Sequence, residues 1–268
     1  MIQPVPVTQG RCLRQLRTDG FALTETTHAL GMVLERHAHE HACLNFVIAG
    51  VYDERIEGVG QSHGPLGLVF KPALAEHANR FEHASARCLL VELTVPPMVD
   101  PGLDLANTAE TRDPRAAAAG LALWHELAAP DELAPLEVAE HAVELYALAL
   151  GERGAACFET RSPRLRAVTA LLHDDPRAPW TLSTLAAHVG LHPSHLARAF
   201  RARHGTTIGG YLRHLRVSAA GPRLALTDEP IADIAADLGF ADQSHLTRAF
   251  RRAVGVTPGA FRRALRRG

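Results

Sequence analysis

With 268 residues, 47% of them apolar, the chain is long enough for two domains with cores of their own. No apolar run approaches the ~20 residues of a membrane span, and the N-terminus lacks the apolar stretch of a secretory signal, so a cytoplasmic protein is expected. The net charge of −1 hides a division: residues 1–160 carry 11 basic and 22 acidic side chains, and residues 161–268 carry 17 and 7, every basic one an Arg. An acidic half joined to a basic half points to a polyanion as partner of the second. The four cysteines, Cys12, Cys43, Cys88 and Cys157, are far apart and have no CxxC spacing, which fits reduced thiols rather than a disulfide framework.

In chain order, residues 20–95 come first. Short runs rich in Val, Leu, Ile and Phe, such as "CLNFVIAGVY", "GLVF" and "CLLVELTV", are bounded by Gly and Pro and predict a small β-sandwich or barrel. Within them, His37 and His39 are two residues apart, so a strand would place both on one face. His77 lies on a later strand. Three imidazoles suit Zn, Fe, Cu or Ni. The reading favoured over metal is polar pocket or strand-end histidines, since with 16 histidines in the chain a chance HxH pair is expected.

Residues 114–152 follow helical spacing, through Leu121, Leu123, Trp124 and Leu127, then Val138, Ala142, Leu145, Tyr146 and Ala149. Such a helix pair either forms a dimer interface or packs on its own barrel. The charge changes sign at "FETRSPRLR", residues 158–166, which reads as the linker. The expected division is 1–105, 106–160 and 161–268.

The basic part contains an internal repeat. Leu185, Ala186, Gly190, Leu196, Arg198, Ala199, Phe200, Arg201 and Gly205 match Ile234, Ala235, Gly239, Leu246, Arg248, Ala249, Phe250, Arg251 and Gly255. The offset is 49 before the turn and 50 after it, so the second turn is longer by one residue. Each copy predicts a short helix, a glycine turn and a second helix. In the second copy Ile231, Ile234, Ala235 and Leu238 form one apolar face, Asp242 caps the next helix, and Leu246, Phe250 and Val254 face inward.

The inward face leaves Gln243, Ser244, Thr247, Arg248, Arg251 and Arg252 outside. The matching outer set in the first copy is Ser194, His195, Arg198 and Arg201. Such a helix enters a major groove, where Arg suits guanine and Gln suits adenine. Arg251, Arg252, Arg262, Arg263, Arg266 and Arg267 read as phosphate contacts or solvated surface. Between the units, Tyr211, Leu212, Leu215, Val217, Leu224 and Leu226 predict a connecting helix. About 18 residues at ~1.5 Å each span roughly 27 Å, near the ~34 Å of one DNA turn. Gly221-Pro222 falls inside it and is expected to kink or break it.

The segment "IADIAADLGFADQSHLTRAFRRAVGVTPGAFRR" resembles the DNA-binding domain of the AraC/XylS family of bacterial transcription regulators. The resemblance implies two helix-turn-helix units in successive major grooves, with Ser194, His195 and Arg198, then Gln243, Ser244 and Arg248, reading bases. "GTTIGGY" lacks the proline that the second copy has at Pro258. The N-terminal half resembles the cupin-type sensor domain of many such regulators, through Gly31 with His37 and His39, and Pro72 with His77. It departs in having Cys43 and Leu44 where an acidic ligand is usual, and Leu74 where a glycine is.

The fold class expected is therefore α+β: an N-terminal cupin-like β-barrel with appended helices, then an all-α double helix-turn-helix domain. The function expected is a regulator binding double-stranded DNA and answering to a small effector. A homodimer is possible, RNA polymerase is a partner if the chain activates, and no membrane is involved. No cofactor is required, though a divalent metal at His37, His39 and His77 is an option. No nucleophile–base constellation is apparent. The alternative is a cupin-type metalloenzyme or metal sensor fused to a DNA-binding domain.

Overall fold

The structure, a computed structural model, describes residues 10–56, 58–111, 113–150 and 163–265. Cys157, Arg266, Arg267 and the first half of the expected linker lie outside the described residues. Ten strands come first: β1 (Arg11–Arg17), β2 (Phe21–His28), β3 (Val33–His37), β4 (Cys43–Ala49), β5 (Tyr52–Ile56), β6 (Val59–His63), β7 (Leu68–Lys71), β8 (His77–Arg80), β9 (Ala86–Leu93) and β10 (Ala109–Thr111). They form two antiparallel sheets, ordered β1-β2-β9-β4-β7-β10 and β3-β8-β5-β6.

The strand period of two explains the layering. In β4, Leu44 and Phe46 point to one side of the large sheet, and Cys43 and Val47 to the other. Leu68 and Phe70 of β7, with Leu89 and Val91 of β9, join the first side, which two helices cover. These are α1 (Pro114–Ala128) and α2 (Ala134–Ala149). The second side meets the small sheet through Val47, Tyr52, Phe81 and Cys88. Both faces of the central strands β2, β9, β4 and β7 are thus buried, which near-continuous apolar runs in β4, β7 and β9 encode, while the edge strand β1 is mostly exposed.

Helix α1 opens with Pro114 after Asp113, whose carboxylate accepts the Arg115 N–H. Its buried stripe is Ala116, Ala119, Gly120, Leu123 and Leu127; Leu121, expected inside, lies off that stripe and is exposed. Gly120 is required, since a Cβ there would meet the Phe46 ring at 2.9 Å. Along α2 only Pro135 is exposed. Its Tyr146 hydroxyl donates to the carbonyls of Ala42 and Val91, fastening the helix to the sheet. Of the two roles open to the helix pair, packing on its own β unit is the one observed.

The rest is helical: α3 (Pro163–Asp174), α4 (Leu182–Val189), α5 (Pro193–His204), α6 (Ile208–Leu226), α7 (Ile231–Asp237), α8 (Gln243–Val254) and α9 (Pro258–Leu265). The second half of the expected linker, from Pro163, is the first turn of α3, because Leu165 is buried there. The repeat is borne out in backbone detail. Gly190 and Gly239 follow the first helix of each unit with φ of 61° and 80°, and Gly205 and Gly255 end the second with 70° and 86°. Asp242 caps α8 by accepting the His245 N–H at 2.8 Å. Val254, expected inside, is 44% exposed, because it ends α8 beyond the contact made by Phe250.

Helix α6 corrects another expectation. It runs unbroken through Gly221 and Pro222. Proline removes one helix hydrogen bond, but Ala220 and Leu224 on either side are fully buried in the core of the second unit, and that packing offsets the loss. Leu226, its last residue, is exposed. Arg216, in the middle of α6, ties the two units together. Its guanidinium donates to Pro176 O at 2.8 Å, to Gly239 O at 2.7 Å and to Glu132 at 3.2 Å. Arg216 is 3% exposed, so losing it leaves buried acceptors without donors. Arg216→Met is expected to cost about 3 kcal/mol, read as a lowered midpoint in urea unfolding.

Candidate nucleic-acid interface

The second unit presents the surface expected of it. α8 begins after Asp242 in extended backbone, and Gln243, Ser244, Arg248, Arg251 and Arg252 are exposed along it. Leu246, Ala249 and Phe250 hold the opposite face in the core. Arg223, pairing with Glu229 and with Asp237 at 2.9 Å, fixes the corner between α6 and α7. Arg262, expected among phosphate contacts or solvated surface, instead donates to Glu229 O at 2.6 Å.

The first unit differs. Ser194, expected on the outer face of α5, is 1% exposed, and its hydroxyl meets His192 Nδ1 at 2.7 Å. His192 is the residue that caps α5, and the hydroxyl is drawn into that cap. His195 Nε2 lies 2.7 Å from Asp100 Oδ2, and Arg198 donates to the same oxygen at 3.4 Å. Asp100 Oδ1 accepts the Gly102 N–H, and that bond, then His195, hold its carboxyl below its ordinary range. Arg201 pairs with Glu144 and donates to His141 Nδ1 at 3.3 Å. Burial lowers the His141 pKa to about 4, so the ring is neutral and its nitrogen accepts.

Around this contact the acidic half meets the start of α6. Glu140 accepts the N–H of Ile208 at 2.7 Å and of Gly209 at 3.1 Å. Ile208 stands where the second unit has Pro258, and a proline has no N–H to donate. The departure noted in "GTTIGGY" thus supplies a donor. Gly209 leaves room, since a Cβ there would meet the Glu137 Cγ at 2.4 Å. Arg213 completes the contact by bridging Asp131 at 2.8 Å and Glu137 at 2.7 Å. Beside it lies a cleft of about 400 Å³, lined by Glu126, Glu137, His141, Arg201, Arg213 and Arg252 among others.

The histidine cluster lies in the β unit. Strand pairing sets His37 opposite His77, which approaches from another strand as expected, but His39 follows just after β3 ends, so His37 and His39 do not share a strand face. The ligand atoms of all three nevertheless lie within 4.8 Å of one another. The Nδ1 atoms of His37 and His77 contact the carbonyls of Glu35 and Ala75 at 2.8 and 2.9 Å. Donation there leaves each Nε2 with a lone pair for a ligand. Burial first, and Lys71 next, lower the pKa of His39 to about 3 and of His77 to about 2.

Two residues that sequence reasoning missed complete the cluster. Glu54, from β5, puts Oε1 3.9 Å from His77 Nε2, so a carboxylate is present without one at Cys43 or Leu44. It also accepts from Lys71 at 2.8 Å and Asn79 at 2.9 Å. Burial is the largest influence and opposes its charge, but Lys71, His63 and His77 together outweigh it and hold Glu54 below its ordinary range. The available signal was strand alternation: Tyr52 and Glu54 share a face, and Tyr52 is core. Leu74, standing where glycine is usual, has φ of 62°, the left-handed conformation a glycine would adopt freely.

Comparison with known proteins bears on the helical part. A family described as a helix-turn-helix domain matches residues 185–264, spanning both units. The C-terminal part of the chain is an AraC-type helix-turn-helix DNA-binding domain. Regulatory protein SoxS of Escherichia coli strain K12 is 37% identical over 65 residues, covering 24% of this chain and 61% of SoxS. Right origin-binding protein of the same strain is 40% identical over 65 residues, 24% of this chain and 22% of that protein. The DNA-binding domain of AdpA, solved with a target DNA, is 29% identical, covering 40% of this chain and 96% of that one at a TM-score of 0.38. No helix among the described residues is long and apolar enough to cross a membrane.

The AraC-type domain is bound to its acidic neighbour through Glu140. Burial raises this carboxyl to about 8, against the two backbone N–H groups that favour its charge. A folded-state value above the ordinary 4.5 means that the folded protein binds an extra proton between these two values. Its contribution to stability is complete below the lower value and is lost as pH rises through the upper one. Thermal unfolding at pH 5, 6, 7 and 8 should therefore show a smaller fall in midpoint for Glu140→Gln than for the native chain.

Proposed function

We propose that this protein is a sequence-specific regulator of transcription that reads double-stranded DNA through two helix-turn-helix units. The observation that carries the reading is the equivalence of Arg198 and Arg248, at the same position of repeated units joined by one helix of 19 residues. At ~1.5 Å per residue that helix is about 28 Å long, which suits successive major grooves on one side of the duplex. His195, Arg198, Gln243, Ser244 and Arg248 are the base-reading candidates; Arg201 and Arg251, further along, are candidates for the backbone. Ser194 positions the start of α5. The matched family consists of DNA-binding regulators, which favours this reading over the metalloenzyme alternative. In the finer reading the N-terminal half answers to a small effector, the chain acts in the cytoplasm, and a homodimer and RNA polymerase are its partners in activation.

Arg248→Ala should relax sequence preference, with specific affinity falling by about 10- to 100-fold and random-sequence affinity nearly unchanged. Competition binding against selected and random duplexes checks this; equal losses on both would make Arg248 a phosphate contact.

A second reading concerns the histidine cluster. The paired Nδ1 contacts to Glu35 and Ala75 orient two imidazoles as ligand-bearing rings are oriented. We infer that His37, His39 and His77 hold a divalent transition metal, with Glu54 as a neighbouring carboxylate whose charge Lys71 balances. Bound metal would supply a Lewis-acid centre for an effector with oxygen or nitrogen donors. Metal analysis of the purified protein should find about one equivalent, and His39→Ala should lose most of it while DNA binding persists.

A further inference from the structure

The two recognition helices are in different states. On α8, Gln243, Ser244, Arg248 and Arg251 are exposed, and Glu132 of the acidic half lies 3.4 Å from His245 Nδ1. On α5 the equivalents of Arg248 and Arg251 are both engaged: Arg198 and His195 by Asp100, and Arg201 by Glu144. The acidic half also occupies the N-termini of the helices flanking α5. Asp19 accepts the Ser183 N–H of α4 at 3.3 Å, and Glu140 accepts the first two N–H groups of α6.

These positions share one chemistry. Helix N-termini offer N–H donors and a positive dipole end, and DNA-binding proteins use them to hold phosphate. Arg and His on the outer edge of a recognition helix meet guanine edges or phosphate oxygens. A carboxylate offers similar acceptor oxygens and the same sign of charge. Asp19, Asp100 and Glu144 thus lie where a duplex would put its charged oxygens, and Glu140 offers acceptor oxygens without that charge. The contact is also more than charge, since α2 packs against α5 and α6 in one continuous apolar core that includes Leu145, Leu196, Phe200 and Leu212. The second unit has a separate core.

We infer that the first helix-turn-helix unit is masked by the chain's own acidic half, acting as a stand-in for DNA, while the second unit is open. This rests on the reading of both units as DNA-binding. It makes engagement of DNA stepwise: α8 enters its groove first, and α5 follows only when Asp100 and Glu144 release it. Whatever parts the two halves raises affinity and lengthens the site read.

The test uses the full chain and duplexes selected from a random 40-base-pair library, with Asp100→Asn/Glu144→Gln as the unmasked form. Glu35→Gln/Glu40→Gln is the control of equal charge change, since both side chains are exposed and away from α5. On a duplex selected by the unmasked form, that form should bind about 10-fold more tightly than the native chain. It should protect two successive major grooves from hydroxyl-radical cleavage where the native chain protects one, and the control should match the native chain. Equal gains in both double variants would mean general charge repulsion and overturn the mask. So would unchanged affinity, weaker binding by the unmasked form, or a native footprint already covering both grooves. The native footprint decides the matter even if the unmasked form folds poorly. If no form selects a sequence, the DNA-binding reading fails, an outcome separate from failure of the mask.

Discussion

The contact on which the arrangement of the molecule turns is a buried carboxylate set on the end of a helix. Glu140 lies on α2, which the β unit grips through Tyr146, and its two oxygens accept the first N–H groups of α6. The sheet, α2 and α6 are thereby linked by groups that each have a fixed partner. α6 is also the helix that joins the two helix-turn-helix units, so its attachment to the acidic half sets the position of the first unit. Burial raises the Glu140 carboxyl to about 8, because the N–H groups of the helix start offset only part of the cost of burying its charge.

Charge segregation acquires a structural meaning from this. An excess of acid in one half and Arg in the other would suggest two modules that act apart. Instead the two excesses pair with each other, through Asp100, Asp131, Glu132, Glu137 and Glu144 on one side and Arg198, Arg201, Arg213 and Arg216 on the other. Some of these pairs are structural. Arg213 is half-buried against paired carboxylates, and Arg216 is buried, binds backbone and Glu132, and holds the turn of the second unit at Gly239. Arg198 and Arg201 lie at positions whose counterparts in the second copy face solvent. The repeat therefore serves as an internal control: the same residue types on the same frame are covered in one copy and open in the other.

The β unit follows a different economy. The central strands of its large sheet are the middle of three layers, while the edge strand β1 keeps its arginines exposed, and a polar cluster gathers between the sheets. Lys71 and Asn79 meet Glu54 there, and the histidines lie at the margin of that cluster. Glu54 gives the cluster a carboxylate, while Lys71 keeps its local charge balanced, a combination that three histidines alone would not have supplied.

Much of this was legible in the sequence, and the reasons are local. Alternation of apolar residues marks the strands, the 49- and 50-residue offsets mark the repeat, and glycine at four equivalent places marks helix ends, because only local backbone geometry decides them. The outward position of Arg248 follows from helical spacing with Leu246 and Phe250. What lay beyond the sequence was every feature made by residues far apart in the chain. Spacing cannot tell that Pro222 is carried inside an unbroken helix, since Ala220 and Leu224 must first find the second core. Nor can it bring Glu54 to His77, or Asp100 to Arg198 across 98 residues. Local propensity determined the elements and which faces they show; only the tertiary fold decided which of those faces are already taken, because long-range pairing depends on packing that no short window of sequence contains.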